Sequence, residues 1–135
     1  MKASTRLLVA ALLATSVLLP SFARAQAYPS KPVRLIVPFA AGGGTDLLAR
    51  TVAQKVGEHW KQTVVVENRA GADSIIASET VAKSPADGHT LFLATLGALG
   101  LNPHLYRKLP YDPAKDFAGV SFVADSPFEI GRAHV

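Results

Sequence analysis

The fold of this 135-residue chain is decided by the stretch Val33-Arg34-Leu35-Ile36-Val37-Pro38-Phe39-Ala40-Ala41-Gly42-Gly43-Gly44-Thr45-Asp46. Its first five residues are rich in β-branched side chains and nearly continuous in apolarity, which is typical of a strand buried on both faces of a parallel sheet. Pro38 to Gly44 is predicted to be a loop, and Thr45 or Asp46 can cap a following helix. The stretch thus predicts a strand, a glycine-rich loop and a helix in succession.

The rest of the chain continues this alternation of strand and helix patterns. The first helix is predicted to run to about Trp60, with strands at 63–67 and 90–94 and a second helix at 72–83. Right-handed crossovers place such strands in one parallel sheet. A fourth strand is predicted to begin within 117–124. The expected fold class is therefore α/β, with a three- to four-stranded, mainly parallel sheet and helices on both faces.

The spacing of side chains predicts which helix faces are buried. The expected buried stripe of the first helix consists of four residues that recur every four positions: Leu48, Val52, Val56 and Trp60. In the second helix, Ile76 and Thr80 are expected to point inward, and Ser74, Ser78 and Lys83 outward.

The glycine run Gly42-Gly43-Gly44, followed by Thr45 and Asp46, is the strongest candidate for a functional site. In open α/β sheets, ligands bind beyond the carboxyl ends of the strands, where this loop is predicted to lie. Glycines let backbone N–H groups approach a ligand closely, and the helix N-terminus behind them favours an anion. The run matches neither a P-loop nor a dinucleotide fingerprint. The alternative is a tight turn in which Asp46 only caps the helix.

Asp46 raises a conflict, because its carboxylate would repel a bare carboxylate ligand. Ordered water between the two groups, or an ammonium group on the ligand, would remove that conflict. Three other side chains are predicted at the same sheet edge. Asp73 and Ser74 are expected to cap the second helix, with ligand contact as the alternative reading for Ser74, and Thr95 is a further candidate contact just past the third strand.

Other chemistry finds little support in the sequence. There is no cysteine, so thiol catalysis and cysteine metal sites are excluded. The four histidines lack the spacing of a zinc site, no Gly-x-Ser-x-Gly elbow is present, and the carboxylates are scattered. We therefore expect no catalytic residue, no metal site, no cofactor and no enzymatic activity.

The first 25 residues are predicted to be a cleaved secretory signal peptide. Lys2 and Arg6 precede the apolar run 7–19, and Ala23-Arg24-Ala25 supplies the small residues of a cleavage site. Ala25-Gln26-Ala27 is a second candidate site. The alternative, a membrane anchor, is disfavoured because the run is too short to span a bilayer comfortably. The expected location is the periplasm.

Removal of this segment changes the charge of the chain. The full sequence has 14 Lys and Arg against 10 Asp and Glu, but Lys2, Arg6 and Arg24 leave with the signal peptide, so 11 remain against 10. Nucleic-acid binding requires a clustered basic patch, which this balance does not support. No nucleic-acid partner is expected.

Five short motifs carry a family resemblance. They are Tyr28 to Asp46, Val-Val-Val-Glu-Asn-Arg at 64–69, Ala-Asp-Gly-His-Thr-Leu at 86–91, Asn-Pro-His-Leu-Tyr at 102–106 and Lys-Leu-Pro-Tyr-Asp-Pro at 108–113. In this order they resemble the substrate-binding proteins of tripartite tricarboxylate transporters, the Bug-type receptors. The resemblance extends from Tyr28 to about Pro127.

The resemblance implies a two-lobed periplasmic binding protein that closes over its ligand. The ligand's carboxylate would be held between one loop from each lobe, partly through water. The first-lobe loop matches Phe39, Ala40 and Ala41 together with the Gly42 to Asp46 segment. The implied partners are a small carboxylate and the membrane permease subunits of the transporter.

The chain departs from the family pattern in sequence and in length. After the Asn-Arg pair the family often has Pro-Gly-Ala-Gly-Gly-Asn, where this chain has Ala70-Gly71-Ala72-Asp73-Ser74-Ile75. Members are well over twice as long, so residues 26–128 are expected to form part of the first lobe, and this fragment alone is expected to be inactive.

The final residues, 129–135, are expected to be a non-native tail. The last six can be back-translated as ATC GGA AGA GCA CAC GTC, with TGA next in frame, which is similar to a widely used sequencing-library adapter. The alternative is a natural truncation or a divergent C-terminus.

These features predict a periplasmic receptor that delivers a small carboxylate to a membrane permease. The alternative is a small α/β enzyme or an orphan α/β domain. A buried acid–base pair near Gly42 would favour the enzyme, whereas a shallow half-cleft lined by backbone N–H groups would favour the receptor.

Overall fold

The computed structural model describes residues 27–125, and the sheet and helices all lie within the unit that starts at Lys31. The predicted signal peptide, residues 1–25, and the predicted tail, residues 129–135, lie outside the described residues. The elements in chain order are β1 (Val33–Val37), α1 (Gly44–Trp60), β2 (Val64–Asn68), a 3₁₀ turn (Ala72–Ser74), α2 (Ile75–Ala82), β3 (Thr90–Phe92), a π-helical segment (Gly97–Leu101) and α3 (Asn102–Leu105).

The three strands form one parallel sheet in the order β2-β1-β3. Val33 pairs with Val64 and Val37 with Asn68 along one side of β1, and Arg34 pairs with Thr90 along the other. The first crossover runs from β1 to β2, and the second runs back across the sheet from β2 to β3. Because right-handed crossovers in opposite directions lie on opposite sides of a sheet, α1 and α2 cover opposite faces. The predicted α/β class, the parallel sheet and the helices on both faces are confirmed.

The predicted fourth strand is wrong. Within the described part of 117–124 no residue is in a strand. The segment has the β-branched and aromatic composition of a strand, but Val120 and Phe122 are 85% and 81% exposed. A strand requires a neighbour to accept its backbone hydrogen bonds, and in the described residues this segment lies beside none.

The centre of the core is β1, whose Val33, Ile36 and Val37 are fully buried. On one face, Leu35 and Val37 pack against Ala49 and Ala53 of α1. The predicted stripe of larger residues is therefore displaced, since Leu48, Val52, Val56 and Trp60 are only partly buried. Small side chains along the line of contact allow the helix to lie close to the sheet, and the larger ones flank it.

The predicted faces of α2 are wrong for Ile76 and Ser78, whereas Thr80 is partly buried and Lys83 exposed, as predicted. Ala77 and Ser78 are fully buried, whereas Ile76 is 46% exposed. The buried Ser78 hydroxyl donates to the carbonyl of Ser74 at 2.9 Å, which removes the cost of burying a polar group. Composition alone could not reveal this, because the hydrogen bond exists only once the helix has formed.

Candidate functional site

The glycine-rich loop leaves the carboxyl end of β1 and leads directly into α1. The N-cap of α1 is Gly43, and no side chain caps the helix, so the prediction of Thr45 or Asp46 as the cap is wrong. The N–H of Leu47 makes the first intrahelical bond, to the carbonyl of Gly43 at 3.0 Å. The N–H groups of the three preceding residues, Gly44, Thr45 and Asp46, consequently have no acceptor inside the helix.

Only one of the three glycines is required by the backbone. Gly42 has φ +89°, a conformation that favours glycine. Gly43 has φ −82° and ψ 171°, which any residue adopts. A Cβ at Gly43 would lie 3.9 Å from its nearest heavy atom, the Ala40 carbonyl oxygen, and a Cβ at Gly44 would meet nothing within 4 Å. Side-chain positions at Gly43 and Gly44 therefore open into free space at the start of α1.

The carboxylate of Asp46 is tied beneath this loop and is only 4% exposed as a residue. It accepts hydrogen bonds from Arg50 Nε at 3.0 Å, from the Gly42 N–H at 2.9 Å and from Asn68 Nδ2 at 3.0 Å. These three donors, with the Arg50 bond as the largest contribution, lower the pKa of Asp46 to about 2. Its charge is compensated by Arg50, so the conflict with an anionic ligand is resolved within the protein.

Asn68, at the end of β2, links the second strand to the same loop. Its Nδ2 also donates to the Phe39 carbonyl at 3.0 Å, and its Oδ1 accepts from Arg50 Nη2 at 3.3 Å. Sequence reasoning missed both Arg50 and Asn68. The i,i+4 spacing of Asp46 and Arg50 was an available signal, as was the position of Asn68 where a parallel strand ends.

Two further candidates follow the other strands, at the same edge of the sheet. Ser74 occupies the N-cap position of α2, but no side chain caps the helix, so the prediction that Asp73 and Ser74 cap it is wrong. It is 7% exposed, and within residues 27–125 its hydroxyl has no hydrogen-bond partner. Thr95, after β3, accepts from the Ala98 N–H through its Oγ1 at 3.3 Å and from the Leu99 N–H through its carbonyl at 3.2 Å. Thr95 therefore caps the helical segment that follows it.

The rim of the loop is formed by Phe39, Ala40 and Ala41, all of them exposed, with Phe39 at 42%. Across residues 27–125, no group of three His, Asp or Glu side chains could hold a metal ion. In the same part of the chain, no helix has the length and apolarity needed to cross a membrane. The titratable group nearest Gly42 is Asp46, which forms an ion pair with Arg50 and has a pKa too low for general acid–base work at neutral pH.

The pKa of Asp46 predicts a specific pH dependence of stability. Since this pKa is lowered from 3.8 to about 2, the ionised carboxylate favours the folded state above pH 3.8, and that contribution is lost as the pH falls through about 2. We expect the difference in Tm between wild type and Asp46→Asn to shrink steadily from pH 5 to pH 2. Asp87→Asn is a positive control at a distant site and should show the same trend, because Lys31 lowers the pKa of Asp87 to about 2 as well. A Tm difference for Asp46→Asn that does not change with pH would contradict the assignment.

The comparisons with known proteins agree on one family. Residues 48–132 match the model of the tripartite tricarboxylate transporter family receptor. BugT of Bordetella pertussis is 42% identical over 107 residues, which cover 78% of this chain and 33% of that protein.

Two solved structures from Rhodopseudomonas palustris share the fold. MatC, with bound malate, is 38% identical with a TM-score of 0.67, covering 71% of this chain and 33% of its own. A second protein, with adipate, is 46% identical with a TM-score of 0.61. The match covers 64% of this chain and 29% of that protein. The chain spans about a third of the length of these relatives. It belongs to the tripartite tricarboxylate transporter receptor family, a family of substrate-binding receptors rather than enzymes.

Proposed function

We propose that this chain supplies one wall of a carboxylate-binding cleft in a periplasmic receptor, which delivers its ligand to the permease of a tripartite tricarboxylate transporter. The observation that carries the proposal is the set of three backbone N–H groups, of Gly44, Thr45 and Asp46, that have no intrahelical acceptor, at a helix N-terminus where a Cβ on Gly43 or Gly44 would meet open space. The family of the chain supports the same function.

A carboxylate fits this position for electrostatic reasons. The N-terminus of the 17-residue helix α1 carries a partial positive charge, and hydrogen bonds from N–H groups to an ionised oxygen are stronger than neutral ones. Asp46 adds little repulsion because Arg50 compensates its charge. Gly42 acts through its conformation, since its own N–H is already bound to Asp46.

The remaining candidate residues would surround that anion. Phe39, Ala40 and Ala41 would form the rim, with the ring of Phe39 covering an apolar part of the ligand. The Ser74 hydroxyl has no partner among residues 27–125 and is available as a donor, and Thr95 keeps its own hydroxyl proton after capping. Adipate and malate, bound in the two R. palustris relatives, are both small dicarboxylates. We therefore propose a mono- or dicarboxylate ligand.

The experiment uses a chimera in which residues 31–125 replace the matching segment of the adipate-bound R. palustris relative. This chimera supplies the second lobe, and calorimetry with adipate and with its uncharged diamide gives two matched affinities. We expect adipate to bind about a hundredfold more tightly, because the diamide offers no charge-assisted acceptor. Equal affinity for the two compounds would contradict an anion site.

Export provides a separate prediction for residues 1–25, which we propose to be a signal peptide preceding a partial first lobe at 26–128. The chain expressed in a bacterium should be recovered from the periplasm with Gln26 or Tyr28 as its first residue, as measured by mass spectrometry. Leu12→Arg is the control, since a charge in the apolar run should block export. Wild-type protein that keeps Met1 in the cytoplasm would refute the assignment.

A further inference from the structure

A left-handed turn follows β2 at the proposed ligand edge. Its three residues, Ala72, Asp73 and Ser74, have φ values of +45°, +48° and +72°. None of them is glycine, and this conformation brings the Cβ of an L-residue too close to the following carbonyl. Three such residues in succession persist only where the surrounding structure holds them.

The middle residue of the turn is held by two side chains from a distant part of the chain. Asn102 Nδ2 donates to the Asp73 carbonyl at 2.8 Å, and the Tyr106 hydroxyl donates to Asp73 Oδ2 at 2.6 Å. Asn102 is only 2% exposed. Both the main chain and the side chain of Asp73 are therefore fixed by residues that follow β3 in the chain.

The amide of Asn102 is itself oriented by Tyr111. In the π-helical segment the N–H of Asn102 bonds the carbonyl of Gly97, but the next residue, Pro103, has no N–H for the carbonyl of Ala98. The Tyr111 hydroxyl donates to that carbonyl at 2.6 Å, which leaves its oxygen free to accept from Asn102 Nδ2 at 3.3 Å. The NH₂ of Asn102 must then point toward Tyr111 and Asp73.

The last residue of this turn is Ser74, which is 7% exposed as a residue. Its hydroxyl makes no hydrogen bond in the described part of the chain, and since no buried side-chain polar atom there lacks a partner, that hydroxyl is accessible from outside. The conformation of the turn decides where that hydroxyl lies. We infer that Asn102 is a positioning residue, which holds the left-handed turn through Asp73 and so fixes the Ser74 hydroxyl for the bound ligand, with Tyr106 and Tyr111 in support. The inference rests on the proposed function and extends it to residues remote from the glycine loop.

The first test measures amide hydrogen exchange in the full chain, without any ligand. The Ser74 N–H bonds the Gly71 carbonyl at 3.1 Å only when the turn is formed. Asn102→Asp places an acceptor opposite the Asp73 carbonyl, so the Ser74 amide should exchange at least about tenfold faster. The amides of Arg69 and Leu93, bonded to β1, should change by less than about twofold.

A second substitution that relaxes the turn distinguishes a positioning role of Asn102 from a general contribution to stability. Ala72→Gly removes the unfavourable contact of a Cβ in the turn, so adding it to Asn102→Asp should restore Ser74 protection to within about threefold of wild type. Phe117→Leu is the control, because Phe117 packs against the ring of Tyr111 without touching these hydrogen bonds. It should speed exchange at all three reporter amides, and Ala72→Gly should not correct it.

The opposite results would overturn the inference. Unchanged Ser74 exchange in Asn102→Asp, or equal acceleration at Arg69 and Leu93, would show that Asn102 does not act on the turn. If Asn102→Asp does not fold, Tyr106→Phe replaces it in the exchange experiment, since it removes only an exposed hydroxyl. Faster exchange of the Ser74 amide than of the Arg69 and Leu93 amides would again support the inference, and equal or unchanged exchange would overturn it.

The second test measures adipate binding by the chimera. Ser74→Ala and Asn102→Asp should each weaken binding roughly tenfold, and the double variant should bind no worse than either, because both act through one hydroxyl. Additive losses, or no loss in either variant, would overturn the inference. If Gly43→Val abolishes binding while these variants do not, the proposed function stands and only this inference falls. If Gly43→Val leaves binding intact, the proposed function fails instead.

Discussion

Gly43→Val should weaken adipate binding by the chimera about a hundredfold while leaving its Tm unchanged to within about 2 °C. The valine side chain would fill the open space in front of the α1 N-terminus and keep a carboxylate from the N–H groups of Gly44 and Thr45. Losing two charge-assisted hydrogen bonds of about 1.5 kcal/mol each gives roughly this factor. The fold should tolerate the change, because φ at this position is −82° and a Cβ has room.

Two other glycines provide the comparison for this prediction. Gly119→Val introduces the same side chain where a Cβ meets nothing within 4 Å, far along the chain, and should change neither binding nor Tm. Gly42→Val should lower the Tm, because φ at Gly42 is +89°. Calorimetry showing the same affinity for Gly43→Val as for Gly119→Val would remove the glycine loop from the binding site.

The second large effect concerns the chain without the rest of a receptor. The 135-residue chain should bind adipate at least about a thousandfold more weakly than the chimera does. A cleft ligand is normally enclosed from both sides, and closure of the two lobes completes its contacts. One wall of a cleft supplies only part of those contacts and leaves the carboxylate in contact with water, which competes for the same N–H groups.

This comparison requires evidence that the isolated chain is folded. Protection of the Arg69 and Leu93 amides against exchange would show that the sheet is intact, since both bond β1. The samples should be dilute, because the exposed edges of the sheet favour association. Adipate affinity within tenfold of the chimera, in a folded and monomeric sample, would show that the second lobe is dispensable.

The parts of the fold that sequence predicted well are those fixed by local chemistry. The apolar run of β1, the glycines after it and the length of α1 each depend on neighbours in sequence, and their bounds agree with the structure to within a residue or two. The predicted strand at 117–124 failed because a strand depends on a partner elsewhere in the chain. The prediction of the buried face of α1 was wrong because the helix lies close to the sheet, where only small side chains such as Ala49 and Ala53 fit.

The candidate site divides in the same way. The glycine loop could be predicted, because a strand, a glycine run and a helix N-terminus occur in succession. The roles of Arg50 and Asn68 could not be predicted with the same security, since Asn68 contacts Asp46 across 22 positions of sequence. Asn102 is more remote still, at 29 positions from Asp73, and only the folded chain brings its amide to the turn.

The central claim, that the α1 N-terminus binds the ligand's carboxylate, is tested most directly by nuclear magnetic resonance. The ¹⁵N-labelled chimera would be titrated with adipate while the amide protons of Gly44, Thr45 and Asp46 are followed, with Gly119 as the internal reference. We predict saturable downfield shifts of at least two of these three amide protons, with the same midpoint as the calorimetric titration and no shift at Gly119. All three amide protons unmoved at adipate saturation would contradict the account.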